Sequence, residues 1–317
     1  MNITLPLGLG IKTFYKFIRV NPETNKETVL TDWIENTILT SGRNELANRD
    51  WFTAVQVGTS SVLPNASQTA LLGYVAGTTT VQEDVNGAQS SAPYYGWRRK
   101  RFRFAVGTIS QNENLNEVGL GWSTASGDFL VTRALIEDIN GNQVTVTWKA
   151  DEYLDVVVEV RYYPPAADAT GTVVLNGVTY DYILRAANVV STTAWSTNIG
   201  SQITSVASAV GDWQAFDDNI QTVDLGPNGV SYNGNTNDYT NAYVNNSYQI
   251  IFGMIAGPNE WNATTGKLMR SLRIKTTAGW YQIQFDSQSN PGFGIPKTTD
   301  YTLTMQFVLG WSEQVIP

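Results

Sequence analysis

The sequence predicts an all-β chain: an antiparallel β-sandwich of jelly-roll type, built as one or two sandwiches, with one or two short helices near the N-terminus. Three observations carry this. About ten segments alternate apolar and polar residues with period two, against two short helix-like patterns. Turn signals recur at roughly 8–12-residue spacing. No segment repeats at a fixed period, which removes a propeller or a solenoid.

Composition narrows the chemistry. At 317 residues the chain can bury a core without metal or disulfide. It has no Cys and no His, so thiolate chemistry, the Ser-His-Asp triad and the commonest metal ligands are excluded, and no catalytic, cofactor or metal residue is expected. Charged residues make up 15%, well under the roughly 25% usual for soluble chains; Asn, Thr, Ser, Gln and Gly fill the polar surface instead. Such a neutral-polar surface suits packing among copies of itself. The net charge of −8 argues against nucleic acid as the principal partner. No basic region precedes an apolar run and no stretch reaches about 18 apolar residues, so a soluble chain without membrane insertion is expected.

Taken in order, KTFYKFIRV reads as a strand with Phe14 and Lys16 on one face and Tyr15, Phe17 and Arg19 on the other. Aromatics on both faces make Phe14, Tyr15 and Phe17 candidates for a subunit interface. Thr31-Asp32 caps a predicted short helix over Trp33, Ile34, Thr37 and Ile38, which Ser41-Gly42 ends. Trp51 to Val57 alternates as a strand, broken at Gly58. Ser67 caps a second predicted helix around Thr69, Ala70 and Leu71, with Tyr74 on its buried stripe. The adjoining Gly/Ser/Thr loop lacks the Lys of a phosphate cradle.

Val81 to Tyr95 reads as a loop and leads into WRRKRFRF, where Arg99, Arg101 and Arg103 share one strand face and Lys100, Phe102 and Phe104 the other. Interleaved basic and aromatic residues can track a nucleic-acid strand. In an acidic protein the favoured reading is an Arg face that meets carboxylates at a sheet edge or subunit interface. Asp138, Asn140 and Asn142 imitate the start of a calcium loop, but its twelfth position is Lys149, so Asn140-Gly141 is assigned to a type I′ hairpin turn.

Tyr153 to Tyr162 sets Leu154, Val156, Val158 and Val160 against Asp155, Glu159 and Arg161, the pattern of a strand with one wet side. Pro164-Pro165 ends it. A second hairpin turns at Asn176-Gly177. Residues 186 to 262 are poor in charge and rich in Asn, Thr, Ser and aromatics. They are either glycan-contacting loops, with Trp195, Trp213, Tyr232, Tyr239, Tyr243 and Trp261 as stacking candidates, or connections packed on a neighbour. Asp217, Asp218 and Asp238 form no arguable carboxylate pair. Strands close the chain: Gly279 turns a hairpin, and Tyr301, Leu303, Met305, Phe307, Leu309 and Trp311 share one face of the last. The expected division is an arm and short helix over residues 1–50, a docking segment, then β regions over 51–165 and 166–317, or one domain over 51–317.

Several segments resemble a family of structural proteins of tailed bacteriophages: WIENTILTSG, VQVGTSSVLPNASQTALLGYVAGTTT, NENLNEVGLGWS with FLVTRALIEDINGN, ALIEDINGNQVTVTWKADEYLDVVVEVRYYP and FDSQSNPGFGIPKTTDYTLTMQFVLGWS. They fall near residues 33–42, 54–80, 102–162 and 285–312, in one order. The last carries an insertion after Asp286 and lacks the basic residue that usually follows Trp-Ser. The resemblance implies a non-enzymatic virion protein, made in the host cytoplasm and assembled as a symmetric oligomer in the tail or neck, as a fibre, collar or baseplate component. Its partners would be copies of itself and other virion proteins. The alternatives are a host-surface glycan-binding module and a capsid decoration protein.

Overall fold

The computed structural model describes residues 2–203, 213–229, 231–233, 239–258, 268–300 and 302–314. In chain order the strands are β1 (Asn2–Val20), β2 (Glu27–Val29), β3 (Ile34–Glu35), β4 (Thr37–Ile38), β5 (Ala54–Gly58), β6 (Tyr74–Thr78), β7 (Val81–Ala88) and β8 (Gly96–Phe104). The middle of the chain adds β9 (Glu113–Leu115), β10 (Glu117–Gly121), β11 (Leu130–Leu135), β12 (Val146–Trp148) and β13 (Tyr153–Tyr163). Past the paired prolines come β14 (Ala169–Leu175), β15 (Val178–Ala187), β16 (Trp213–Phe216), β17 (Ser231–Asn233), β18 (Tyr239–Thr240) and β19 (Gln249–Ala256). Then follow β20 (Leu268–Met269), β21 (Ser271–Thr276), β22 (Gly279–Ser287), β23 (Ile295–Pro296) and β24 (Leu303–Glu313). Two short helices, α1 (Thr40–Asn48) and α2 (Thr192–Trp195), complete the described elements.

A curled nine-stranded sheet has the order β18-β19-β24-β1-β13-β8-β7, with β2 and β3 added along β1. A five-stranded sheet runs β4-β11-β10-β5-β6 and a six-stranded sheet runs β14-β15-β22-β21-β16-β17. One hydrophobic cluster takes side chains from all three. β1 lies in the middle of the largest sheet, its odd residues Leu5, Leu7, Leu9, Ile11, Tyr15 and Phe17 buried. It runs antiparallel to β13 but parallel to β24, with Gly8 opposite Gly310. The segment expected as a docking arm thus starts inside the sheet, and the sheet is not wholly antiparallel. Alternation fixes which face a residue takes, not which way its partner runs.

Four local expectations are corrected. Ile34 and Ile38 are buried in extended backbone, and the helix begins at Thr40, where a stop was expected. Gly42 sits inside it because a Cβ there would lie 2.3 Å from the Val131 carbonyl oxygen, so the glycine serves close approach and not termination. Residues 61–73 form turns instead of a second helix: the Asn65 side chain accepts from the Ser67 N–H, and Leu71 packs with Leu39 and Leu130. The presumed loop before Tyr95 contains β7, an exposed edge strand guarded by Glu83 and Asp84. Finally, Gly141 has φ 78° but Asn140 is not left-handed, and the Asp138 carboxylate accepts from the Asn140 and Asn142 N–H groups. This is a longer Asx-type turn closed by the Glu137–Gln143 bridge, after which the flanking strands leave for different sheets. At Asn176-Gly177 the expected turn is present, with φ 49° and 78° and Leu175 opposite Val178.

One buried ion pair organises the five-stranded sheet. Glu117 on β10 and Arg133 on β11 both have 0% side-chain exposure and meet at 2.7 Å. The Glu117 carboxylate also accepts from the Gly73 N–H at 2.6 Å, while Arg133 donates to the Val62 carbonyl and the Gln68 side chain. The pair therefore pins residues 60–73 to the sheet from both ends, leaving Val62 and Leu63 exposed at its tip.

Candidate functional site

The outer face of the nine-stranded sheet gathers most of the residues singled out as an interface. Pairing register sets Phe14, Glu159 and Arg99 in one row, Lys16, Val157 and Arg101 in the next, and Ile18, Asp155 and Arg103 in a third. Arg99 meets Glu159 at 2.5 Å and Arg161 reaches the same carboxylate at 2.6 Å. Arg101 and Arg103 share Asp155 at 2.5 and 2.7 Å, and Arg101 also pairs with Glu27 at 2.7 Å. Lys12 pairs with Glu35.

Aromatic rings cover these cations. Arg99 lies 5.3 Å from the Trp33 ring and 5.1 Å from Trp97, Arg161 lies 4.3 Å from Phe14, and Arg103 lies 4.7 Å from Tyr153. Under this cover the carboxylates lose water: Asp155 is fully buried and Glu159 nearly so. The face expected to be wet is thus a desolvated charge layer, because guanidinium planes and rings shield what alternation assigns to solvent. Burial opposes the charge on Arg101, yet hydrogen bonds to Glu27 and Asp155 hold its pKa above the ordinary value. Hydrogen bonding to Asp155 raises that of Arg103 in the same sense.

Chemically, this face is suited to contact. Its guanidiniums already bond to carboxylates of their own chain, so a phosphate backbone would have to displace them. That weighs against the nucleic-acid reading of Arg99, Arg101 and Arg103. What stays accessible is the edge of the layer: Arg99 at 37% and Trp33 at 38% exposure, together with Glu27 at 49% and Glu35 at 55%. Spacing alone assigns Trp33 to a helix; its role here depends on β3 pairing with β1, which no local pattern signals.

The remaining candidates separate. Phe14 lies on this face under Arg161, whereas Tyr15 and Phe17 point the other way and are fully buried, so neither can meet a partner of the folded chain. Trp195 and Trp213 are core residues: the Trp195 indole packs on Tyr281 at 5.6 Å and donates to the Ala187 carbonyl, leaving no ring face for a sugar. Tyr243 is half-buried, its ring 5.5 Å from Trp311 and its hydroxyl on Asn44. The side chains of Tyr232 and Tyr239, and all of Trp261, Asp238 and Tyr301, lie outside the described residues.

Among the described residues no group of Asp and Glu is placed to hold a metal ion, and no helix is long and apolar enough to cross a membrane. Among the described residues, two cavities that adjoin the sheet's outer face share Pro164, Pro165, Ala166 and Gln314; their volumes are about 570 and 370 Å³. Compared with protein-family models, curated proteins and solved structures, the chain matches none.

Proposed function

We propose that this chain is a non-enzymatic structural subunit of a tailed-phage particle, assembling as a symmetric oligomer in the tail or neck, and that its large sheets pack as a jelly-roll-like sandwich. The observation that carries the reading is the outer face of the nine-stranded sheet. There Trp33 and Arg99 remain accessible at the rim of a desolvated layer of guanidiniums, rings and carboxylates. Trp, Tyr and Arg are the residues whose truncation most often weakens protein–protein contacts, because each gives large rigid area with a polar handle. The ion pairs below them hold the side chains in place before contact, which lowers the ordering entropy of association. Sparse charge and abundant Asn and Thr elsewhere suit further subunit contacts, and the lack of His and Cys fits a role without chemistry. The resemblance to tailed-phage structural proteins supplies the particle and its location in the virion.

Light scattering behind size exclusion tests this. The wild-type chain is expected as a discrete oligomer at micromolar concentration. The double variant Trp33→Ala/Arg99→Ala is expected as a monomer with an unchanged circular dichroism spectrum. A wild-type chain that stays monomeric at all concentrations overturns the proposal.

A further inference from the structure

The larger cavity has a floor that local structure does not require. Gly8 on β1 and Gly310 on β24 face each other in the parallel register. Neither is left-handed. A Cβ on Gly8 would meet only Pro165, at 3.6 Å, and one on Gly310 would meet only backbone oxygens at 3.8 and 3.9 Å, all ordinary contacts. The strand glycines Gly58, Gly77, Gly96 and Gly121 differ, because a Cβ there would lie 1.8–2.6 Å from a backbone oxygen. Glycine weakens a strand interior, and close approach of a ligand or of another backbone is among the reasons for finding it there.

The wall beside this floor is built and strained. Tyr248 adopts φ 49° and Asn246 φ 67°, left-handed conformations that a bulky side chain such as tyrosine rarely takes. The turn is held by Asn44 of α1, which accepts from the Asn246 N–H at 2.7 Å and donates to its side-chain oxygen at 3.0 Å. The Trp311 N–H on the Tyr248 carbonyl adds a third tie. So held, the Tyr248 ring lies 4.2 Å from the guanidinium of Arg43, the residue before Asn44 in the helix. Unlike Arg99, Arg101, Arg103, Arg133 and Arg161, Arg43 meets no carboxylate among the described residues. Across the floor stand Pro164 and Pro165, and Ser247 and Ser312 line the rim.

We infer that this cleft binds a carboxylate-bearing saccharide: a pyranose ring lies on the Gly8/Gly310 floor between the proline and tyrosine walls, and its carboxylate takes the Arg43 guanidinium. Gly310 is paired on both sides, with Gly8 and with Gln249, and the Gly8 carbonyl accepts from the Tyr281 hydroxyl, so the floor offers chiefly C–H surface, which suits a sugar's C–H face. An extended peptide would need a row of unpaired backbone groups, and Gly310, paired on both sides, offers none. A guanidinium with no carboxylate of its own supplies the charge-assisted, paired hydrogen bonds that select an acid over a neutral sugar. Among the described residues no Asp or Glu lines the cleft, so the saccharide is bound and not cleaved.

The experiment is calorimetric titration of the full chain with oligogalacturonate, oligoglucuronate and oligomeric N-acetylneuraminate. Carboxyl-reduced counterparts and tetraglutamate serve as controls. At least one acidic saccharide is expected to bind about tenfold or more tighter than its reduced form. Arg43→Gln is expected to remove that preference. Gly310→Leu, for which the Cβ has room, is expected to abolish binding while leaving the thermal midpoint unchanged. No binding of any acidic saccharide up to about 10 mM overturns the inference. So does binding that survives both variants, and so does tighter binding of tetraglutamate, which would make the cleft a peptide site.

Discussion

Replacing Glu117 with Gln tests whether the buried pair secures residues 60–73. Glutamine keeps the shape of the side chain and one acceptor, but removes the charge opposite Arg133 and turns an amide donor toward groups that already donate. Both side chains have 0% exposure, so water cannot compensate. Breaking a buried pair by removing one partner costs about 3–5 kcal/mol, because the surviving charge stays buried. Arg133 keeps the Val62 carbonyl and Gln68 as acceptors, which places the estimate near the lower end, about 3 kcal/mol. With a urea m-value of about 4 kcal/mol/M for a chain of this size, the midpoint falls by somewhat under 1 M. Arg133→Met should cost less, since Glu117 retains the Gly73 N–H. The double variant should be milder than the sum of the two, with coupling of about 1–3 kcal/mol. Urea unfolding of all four chains closes the cycle, and limited proteolysis should cut first within residues 60–73. A Glu117→Gln chain within about 1 kcal/mol of the parent, or strictly additive variants, would refute the reasoning.

Arg101→Glu places a carboxylate beside Glu27 and the fully buried Asp155, so we expect a loss of about 2–4 kcal/mol in the fold itself, visible as a lower thermal midpoint even where the chain is monomeric. Gly42→Ala should destabilise by about 1–3 kcal/mol in urea unfolding, although alanine favours a helix by roughly 1 kcal/mol, because the new Cβ would strike the Val131 backbone. Asp84 is held below its ordinary pKa of 3.8, chiefly by its hydrogen bond to Arg98. Its stabilisation is therefore complete above pH 3.8 and is lost as pH falls through the depressed value. Asp84→Asn should flatten that acid limb of a thermal-midpoint profile, by a few tenths of a kcal/mol given its exposure.

How much the sequence reveals depends on where the determining contact lies. The faces of β8, β13 and β24 follow from alternation alone, since Phe102 and Phe104, Leu154 to Val160, and Leu303 to Trp311 bury the side expected. The Asn176-Gly177 hairpin is equally local. Position of the helix is not: Ile34 and Ile38 have spacing that a helix would accept, and only the neighbouring strands β1 and β11 draw them into extended backbone. The burial of Asp155 and Glu159 is illegible for a related reason. Alternation sorts residues by polarity, while the cover over these carboxylates comes from Arg99, Arg101 and Arg103 one strand away and from the rings of Phe14 and Trp33 on two other segments. Glycine is the extreme case. Gly8 and Gly310 are 302 residues apart and read singly as turn formers; only the pairing of β1 with β24 makes them one floor.

β1 also ties the two surfaces together. Its even residues Gly8 and Gly10 line the cleft, and its next even residues, Lys12, Phe14 and Lys16, enter the charged layer, so one strand face serves both. The odd residues fix that arrangement: Leu5, Leu7, Leu9, Ile11, Tyr15 and Phe17 are buried, and a slip of one residue would drive glycines and lysines into the core. Surface and core are therefore not independent along this strand. A substitution that merely loosens Leu7 or Leu9 should be felt in the cleft, because the floor's flatness depends on the register that those leucines hold. The charged layer is buffered against the same change, since Asp155 and Glu159 belong to β13 and carry their own arginines from β8. Leu9→Ala should thus weaken saccharide binding by more than it weakens oligomer assembly, and equal losses in titration and light scattering would show that the two surfaces move as one.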